Sequence, residues 1–332
     1  MERHIRESRR ILVLCLDNLG DLVFASALGP PLRTRFPTAH LGLWCKAYTK
    51  PVGMMFPAID QVYAADPFWD RSPLRGKGRL LPYLRTLLAV RRGRYDTAII
   101  VSSQWRVSAT ALAAGVRVRI GREHRRNRRF LTDALPPEDR TQLAVRDLGR
   151  LLGPLGIHDV PPNYRLDPAP LADRQRRLAP LVGAEPVAAV NPFAGSRDKC
   201  LPIADWIQAA ASLPAVGLTP LWLGSATELA TVRSAAASTP TAGWLFADEL
   251  GDDSIDDIAA LITLSAIYLG HDSGPLHIAS ALGIPTVGVY RGGADPRRTG
   301  PHGIGAARVV DVRQETDDAV ARILAAAAAL RG

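Results

Sequence analysis

The residues best arranged for chemistry are Gly270-His271-Asp272-Ser273-Gly274-Pro275-Leu276-His277. They follow one apolar run and open another. Asp272 or Ser273 is a good helix N-cap, Pro275 suits a first helical turn, and Gly274 allows close backbone approach to a ligand. Free N–H groups at such a helix start attract a diphosphate. The same residues also fit an ordinary capped helix. The extra glycine and the two histidines, His271 and His277, favour phosphate binding.

Asn191-Pro192-Phe193-Ala194-Gly195-Ser196-Arg197-Asp198-Lys199 follows another apolar run in the same half. Ser196, Arg197 and Lys199 supply a hydroxyl and two cations able to meet phosphate, though such a loop is often only solvated. Near the N-terminus stands Leu16-Asp17-Asn18-Leu19-Gly20-Asp21. Asp21 either caps the next helix or takes a proton from an acceptor hydroxyl, and Asp17 competes for that second role. Glu228, at the turn after Trp222 to Thr227, is either a ribose-binding acid or a favourable first-turn charge.

These turns need a frame. Strands are expected at Ile11–Leu16, His40–Trp44, Gln61–Ala64, Thr97–Val101 and Arg117–Ile120. The second half adds Val187–Val190, Thr219–Leu223, Ala266–Leu269 and Thr286–Tyr290. One amphipathic helix is expected over Leu22–Phe36. Others fall near Ile203–Leu213, Ala226–Ala237, Ile255–Leu264, Leu276–Leu282 and Asp317–Leu330. Strand and helix in alternation imply an α/β fold of parallel sheets wrapped by helices, in two doubly wound domains facing a cleft. The proline-rich stretch Pro161–Glu185 reads as the boundary linker, which divides the chain into domains 1–170 and 171–332.

Length and composition agree. The 332 residues are 47% apolar and 22% charged, enough for two globular cores. The net charge of +9 is uneven. Residues 1–170 hold 28 Lys+Arg against 15 Asp+Glu, and residues 171–332 hold 13 against 17. A basic first half suits an anionic acceptor or an anionic membrane surface. The run 122–129 contains Arg122, Arg125 and Arg126 but no interleaved aromatic, so nucleic acid is not the expected partner. Three widely spaced cysteines and no long apolar run imply a reducing, cytoplasmic setting without a membrane span. The chain has no G-x-G-x-x-G, P-loop, H-E-x-x-H, C-x-x-C or G-x-S-x-G motif and no Asp-x-Asp pair. Standard dinucleotide, P-loop, zinc-hydrolase and metal-bridged diphosphate sites are therefore not expected.

Taken in order, these segments resemble glycosyltransferase family 9, the ADP-heptose:lipopolysaccharide heptosyltransferases. Ile11 to Pro37 resembles the family's opening strand, G-D turn and helix ending in R-x-x-F-P. Val190 to Trp206 resembles the start of its second domain, and Ile267 to Pro301 its most distinctive block. The resemblance implies GT-B architecture, donor binding in the C-terminal domain, inversion at the anomeric carbon, and no metal or other cofactor beyond the nucleotide-sugar co-substrate. It makes Asp21 the general base, Lys199 a lysine at the donor phosphates, Glu228 the ribose acid and Asp272 to His277 the diphosphate block. Asn18, Arg122, Arg125 and Arg126 are candidate acceptor contacts. The implied acceptor is a lipopolysaccharide core, with peripheral contact at the inner membrane face. A small-molecule acceptor, a non-catalytic sugar-nucleotide-binding protein and an epimerase using His271 and His277 are the alternatives. The chain departs from the family at Cys200-Leu201-Pro202, where Trp-Pro is usual, and at Arg291-Gly292-Gly293-Ala294-Asp295-Pro296, where Gly-Pro-Thr is frequent.

Overall fold

A computed structural model describes residues 8–72, 76–251, 254–314 and 318–331. The chain divides into two compact units, Met1–Tyr164 and Arg165–Gly332.

The first unit is built on six parallel strands: β1 (Arg10–Cys15), β2 (His40–Cys45), β3 (Gln61–Ala64), β4 (Thr97–Ile100), β5 (Val118–Arg122) and β6 (Asp133–Leu135). Their order across the sheet is β3-β2-β1-β4-β5-β6. The second unit carries β7 (Val187–Asn191), β8 (Thr219–Trp222), β9 (Leu245–Phe246), β10 (Ile267–His271), β11 (Thr286–Tyr290) and β12 (Ala307–Asp311). Their order is β9-β8-β7-β10-β11-β12, the same pattern. Helices cover both faces of such sheets, so the central strands are apolar throughout rather than alternating. Ile11, Leu12, Leu14, Ile99 and Ile100 are all fully buried, as are Trp44, Trp206 and Trp222. Burying each such side chain contributes about 2–3 kcal/mol before entropy is counted.

The helices used below are α1 (Leu19–Ala25), α2 (Gly29–Arg35), α3 (Lys50–Met54), α4 (Leu80–Arg92), α5 (Trp105–Ala113), α6 (Ala144–Gly149), α7 (Ala172–Val182), α8 (Ile203–Ser212), α9 (Ala226–Ala235), α10 (Ile255–Thr263), α11 (Gly274–Ala281) and α12 (Ala319–Ala328). None of the described helices is long and apolar enough to cross a membrane.

Several expectations need correction. The helix expected over Leu22–Phe36 begins at Leu19 and breaks at a 3-10 turn over Ser26–Leu28 before α2 resumes. Pro30 and Pro31 cause the break, because proline has no N–H to donate and its ring crowds the preceding turn. Gly29 is needed there, since an added Cβ would lie 2.4 Å from the Pro57 carbonyl oxygen. The supposed linker contains α7, whose Leu178 and Val182 are buried and whose Arg174 and Arg177 both reach buried Asp257. Strands β6, β9 and β12 were not expected. The C-terminal helix packs against α8, β11 and β12. Its expected first residue, Asp317, lies outside the described residues.

Candidate active-site residues

In each sheet the strand order reverses at the centre, between β1 and β4 and between β7 and β10. Loops leaving the carboxyl ends of those strands diverge to opposite faces and open a crevice, where α/β sheets bind ligands.

In the second unit, β7 and β10 are direct neighbours, with Asn191 opposite Gly270. Gly270 must be glycine, because a Cβ there would lie 2.8 Å from the Asn191 carbonyl oxygen. The loop after β7 ends in a 3-10 turn, Arg197–Lys199, and the Lys199 Nζ sits 2.8 Å from Asp272 Oδ2 beyond β10. His277, from the first turn of α11, lies 3.3 Å from Asp272 Oδ1 through its Nε2. Burial alone would raise the Asp272 pKa. The His277 hydrogen bond and Lys199 outweigh it and hold the carboxyl at about 2. Asp272 is thus a fixed anion that fastens the Lys199 ammonium beside the start of α11.

Ser273 occupies the N-cap position of α11, but its hydroxyl makes no capping bond, contrary to the sequence expectation. Pro275 stands in the first turn, where its missing N–H costs nothing. Ser196 donates its hydroxyl hydrogen to Asp198, and Arg197 is exposed. Glu228 caps α9: its Oε2 accepts from both the N–H and the hydroxyl of Ser225 at 2.8 Å, closing a capping box.

His271 is fully buried. Its Nε2 accepts from the Leu201 N–H at 3.0 Å and the Trp206 indole N–H at 2.9 Å. Its Nδ1 therefore carries the proton and faces the Val289 carbonyl oxygen, 3.3 Å away. Burial pushes the pKa down to about 4, so the ring is neutral near pH 7 and serves as a pin between β10 and α8.

Residue-pattern reasoning missed Arg291. Its guanidinium donates to the carbonyl oxygens of Asp198 and Cys200, each at 3.1 Å. The Gly293 N–H donates to the Asp198 carboxylate at 3.2 Å. The segment after β11 is thus laced to the loop on either side of Lys199. Gly292, at φ +58°, lies so close that a Cβ would meet the Asp198 carbonyl oxygen at 2.4 Å.

In the first unit, Asp17 follows β1 and accepts a hydrogen bond from the Ser102 hydroxyl at 3.0 Å, across the reversal from β4. Burial, then the nearby Asp21 charge, raises the Asp17 pKa to about 6, against the opposing pull of Ser102, Lys46 and Arg122. Asp21 is exposed, on the first turn of α1 rather than in the turn before it, and accepts from the Asn18 N–H at 3.3 Å. Lys46, buried after β2, pairs with Asp70 at 2.6 Å and stands 3.5 Å from the Asn18 side-chain oxygen. Neither Ser102 nor Lys46 was singled out from the sequence. The usable signal was position, since each directly follows an apolar run.

Arg122 is not a solvent-facing cation. It ends β5, is 8% exposed, and pairs with buried Asp147 at 2.6 Å. Arg125 and Arg126 are exposed and, with Arg128, Arg129 and Leu131, line a concavity of about 660 Å³.

The sequence profile of glycosyltransferase family 9 (heptosyltransferase) matches residues 84–322. Lipopolysaccharide heptosyltransferase 2 of Escherichia coli strain K12 is 24% identical over 313 residues, covering 88% of this chain and 85% of that protein. Lipopolysaccharide heptosyltransferase 3 of Escherichia coli is 22% identical over 282 residues, covering 82% and 80%. Among solved structures, a family 9 glycosyltransferase from Veillonella parvula superposes with a TM-score of 0.81 at 20% identity, over 97% of both chains. The Escherichia coli ADP-heptose lipopolysaccharide heptosyltransferase II does so at 0.78 and 20%, over 97% of this chain and 98% of the other. At these identities the superpositions speak for the fold, two Rossmann-like units of the GT-B class. The profile spans most of the chain, and on that ground the protein belongs to glycosyltransferase family 9 and is a glycosyltransferase.

Proposed function

We propose that this enzyme transfers a heptose from ADP-heptose to an acceptor hydroxyl, with inversion and without a metal ion. The observation that carries the donor half is the cluster at the centre of the second sheet, with Lys199 fastened to Asp272 beside the start of α11. Solved relatives include an Escherichia coli heptosyltransferase with ADP and the same enzyme with ADP-2-deoxy-2-fluoro heptose. Those ligands support an ADP-sugar donor; the Lys199–Asp272 cluster favours donor binding in the second unit, which leaves the acceptor to the first.

The reaction is a single displacement. The acceptor oxygen attacks the anomeric carbon while Asp21 takes its proton. The bond from that carbon to the diphosphate oxygen breaks, and ADP leaves with the electron pair. Lys199, exposed Arg197 and the free N–H groups at the start of α11 stabilise the growing negative charge. Losing one such donor typically costs about 3 kcal/mol of barrier, or roughly a hundredfold in rate. Because Asp272 is already an anion, it acts by orienting Lys199 and not by touching phosphate. The locked, neutral His271 speaks against the epimerase alternative, which would need it as an acid or base.

The relatives' names support a lipopolysaccharide core acceptor, and the exposed Arg125 and Arg126 suit its phosphates. Such an acceptor is membrane-borne, which implies peripheral contact with an anionic leaflet. The test follows ADP release from ADP-heptose, with and without Kdo-lipid A and EDTA. Acceptor-dependent release that survives EDTA, and is lost in Asp21→Asn with donor affinity kept, is the expected result. Release that needs a divalent ion, or no binding of any ADP-sugar, would overturn the donor half. Binding of ADP-heptose with no transfer to Kdo-lipid A would overturn the acceptor and direct the search to small molecules.

A further inference from the structure

Helix α4 has two contrasting faces. Tyr83 and Val90 are buried, and Leu87 packs against the same core. On the other side Leu80, Leu81, Leu84 and Leu88 are 52%, 59%, 40% and 50% exposed. At about 100° per residue these four leucines fall within one arc of roughly 100°, a continuous apolar stripe. Four large aliphatic side chains turned together toward water form a patch that ordinarily marks a contact surface.

The charges around the stripe identify what it contacts. Between Asp70 and Asp96 the sequence has eight cations and no acid: Arg71, Arg75, Lys77, Arg79, Arg85, Arg91, Arg92 and Arg94. Lys77, Arg79, Arg85, Arg91, Arg92 and Arg94 are exposed. A leucine stripe whose charged sequence neighbours are all cations, a cationic rim, matches an interface that is apolar below and negative above. Long Lys and Arg side chains can lie along the apolar surface and keep their charged ends at headgroup level. Pairing with a second copy of the chain would lay this cationic rim against itself, which like charges oppose.

We propose that α4 lies in the headgroup region of an anionic lipid bilayer, its four leucines inserted and its cations on the lipid phosphates. This extends the reading of a membrane-borne acceptor and rests on that reading only for its purpose. The binding itself is measured without donor or acceptor, so either idea can fail alone.

The experiment is flotation of the full chain with vesicles of equal parts phosphatidylglycerol and phosphatidylcholine, beside vesicles of phosphatidylcholine only. The wild type should float with the anionic vesicles and be released by high salt. Leu81→Gln/Leu84→Gln/Leu88→Gln should weaken partitioning more than about tenfold at an unchanged melting temperature. Arg85→Gln/Arg92→Gln, which leaves the leucines, should lose the preference for anionic lipid. A wild type that stays with neither vesicle, or a leucine variant that floats equally well, would overturn the proposal. So would a wild-type dimer in solution that the leucine variant splits, since the stripe would then face another copy.

Discussion

Asp17, just before α1, and Asp21, in its first turn, are two nearby carboxylates with different surroundings. Asp21 is exposed; Asp17 is held by Ser102 with its pKa near 6. A carboxyl with a raised folded pKa holds its proton more tightly folded than unfolded. Its favourable contribution is full below its usual 3.8 and is lost as pH rises through about 6. Asp17→Asn, which can still accept from Ser102, should therefore raise stability at pH 7 by roughly 1–2 kcal/mol, with the gain vanishing below pH 4. Urea melts of both proteins across that range measure it. The same substitution separates the two candidate bases. With Asp21 as the base, Asp17→Asn keeps turnover within about tenfold while Asp21→Asn loses a hundredfold or more. The reverse order would transfer the role to Asp17. Arg291 makes a third residue-scale prediction. Truncation to alanine frees the carbonyl oxygens of Asp198 and Cys200 and loosens the loop that carries Lys199. The expected outcome is a donor KM raised about tenfold, with Arg291→Lys recovering part of it, read from steady-state kinetics.

At the scale of elements, the strand ends are where local chemistry was legible and partnership was not. Gln61–Ala64 and Thr286–Tyr290 have the bounds expected of them, because each is an apolar or β-branched run between turn residues. Leu245–Phe246 has only two residues, too few for any periodicity to show. The helix break at Pro30 was written in the residues and passed over, since apolar spacing continued across it. The contact of Asp17 with Ser102 spans 85 positions of sequence, and that of Arg291 with Asp198 spans 93. Only the strand order brings such pairs together, and no local pattern states that order. Capping offered a further ambiguity: Glu228 has one spacing to Ser225 whether it caps α9 or binds a ligand. The close fit of Gly292 against Asp198 gives a prediction at this scale. Gly292→Ala meets both a left-handed φ and a backbone oxygen at 2.4 Å, and should destabilise the second unit by about 1–3 kcal/mol in thermal unfolding.

At the scale of the whole molecule, one strand order serves twice, and the charge separates what the repeated fold does not. The first 170 residues hold the cationic surplus and the remainder the acidic one. Because Lys199 and the start of α11 lie in the second unit despite its acidic balance, adding ADP should slow hydrogen exchange there, at residues 191–201, 270–277 and 291–295, and leave the first sheet's strand ends unchanged. Mass spectrometry of peptides from the full chain reads this directly. Protection confined to 16–22 and 101–104 would overturn the division of labour.

The lacing between Arg291 and the Lys199 loop also bears on descent. Cys200-Leu201-Pro202 and Arg291 to Pro296 are far apart in sequence, yet they are tied together, because the Arg291 guanidinium donates to the carbonyl oxygen of Cys200 and to that of Asp198 just before it. A chimera that replaces the Arg291 segment alone strands two carbonyl oxygens, whereas a new side chain at position 200 leaves the backbone acceptors in place. Descent and engineering should therefore hold on to the arginine at position 291 while the side chain at position 200 is free to drift.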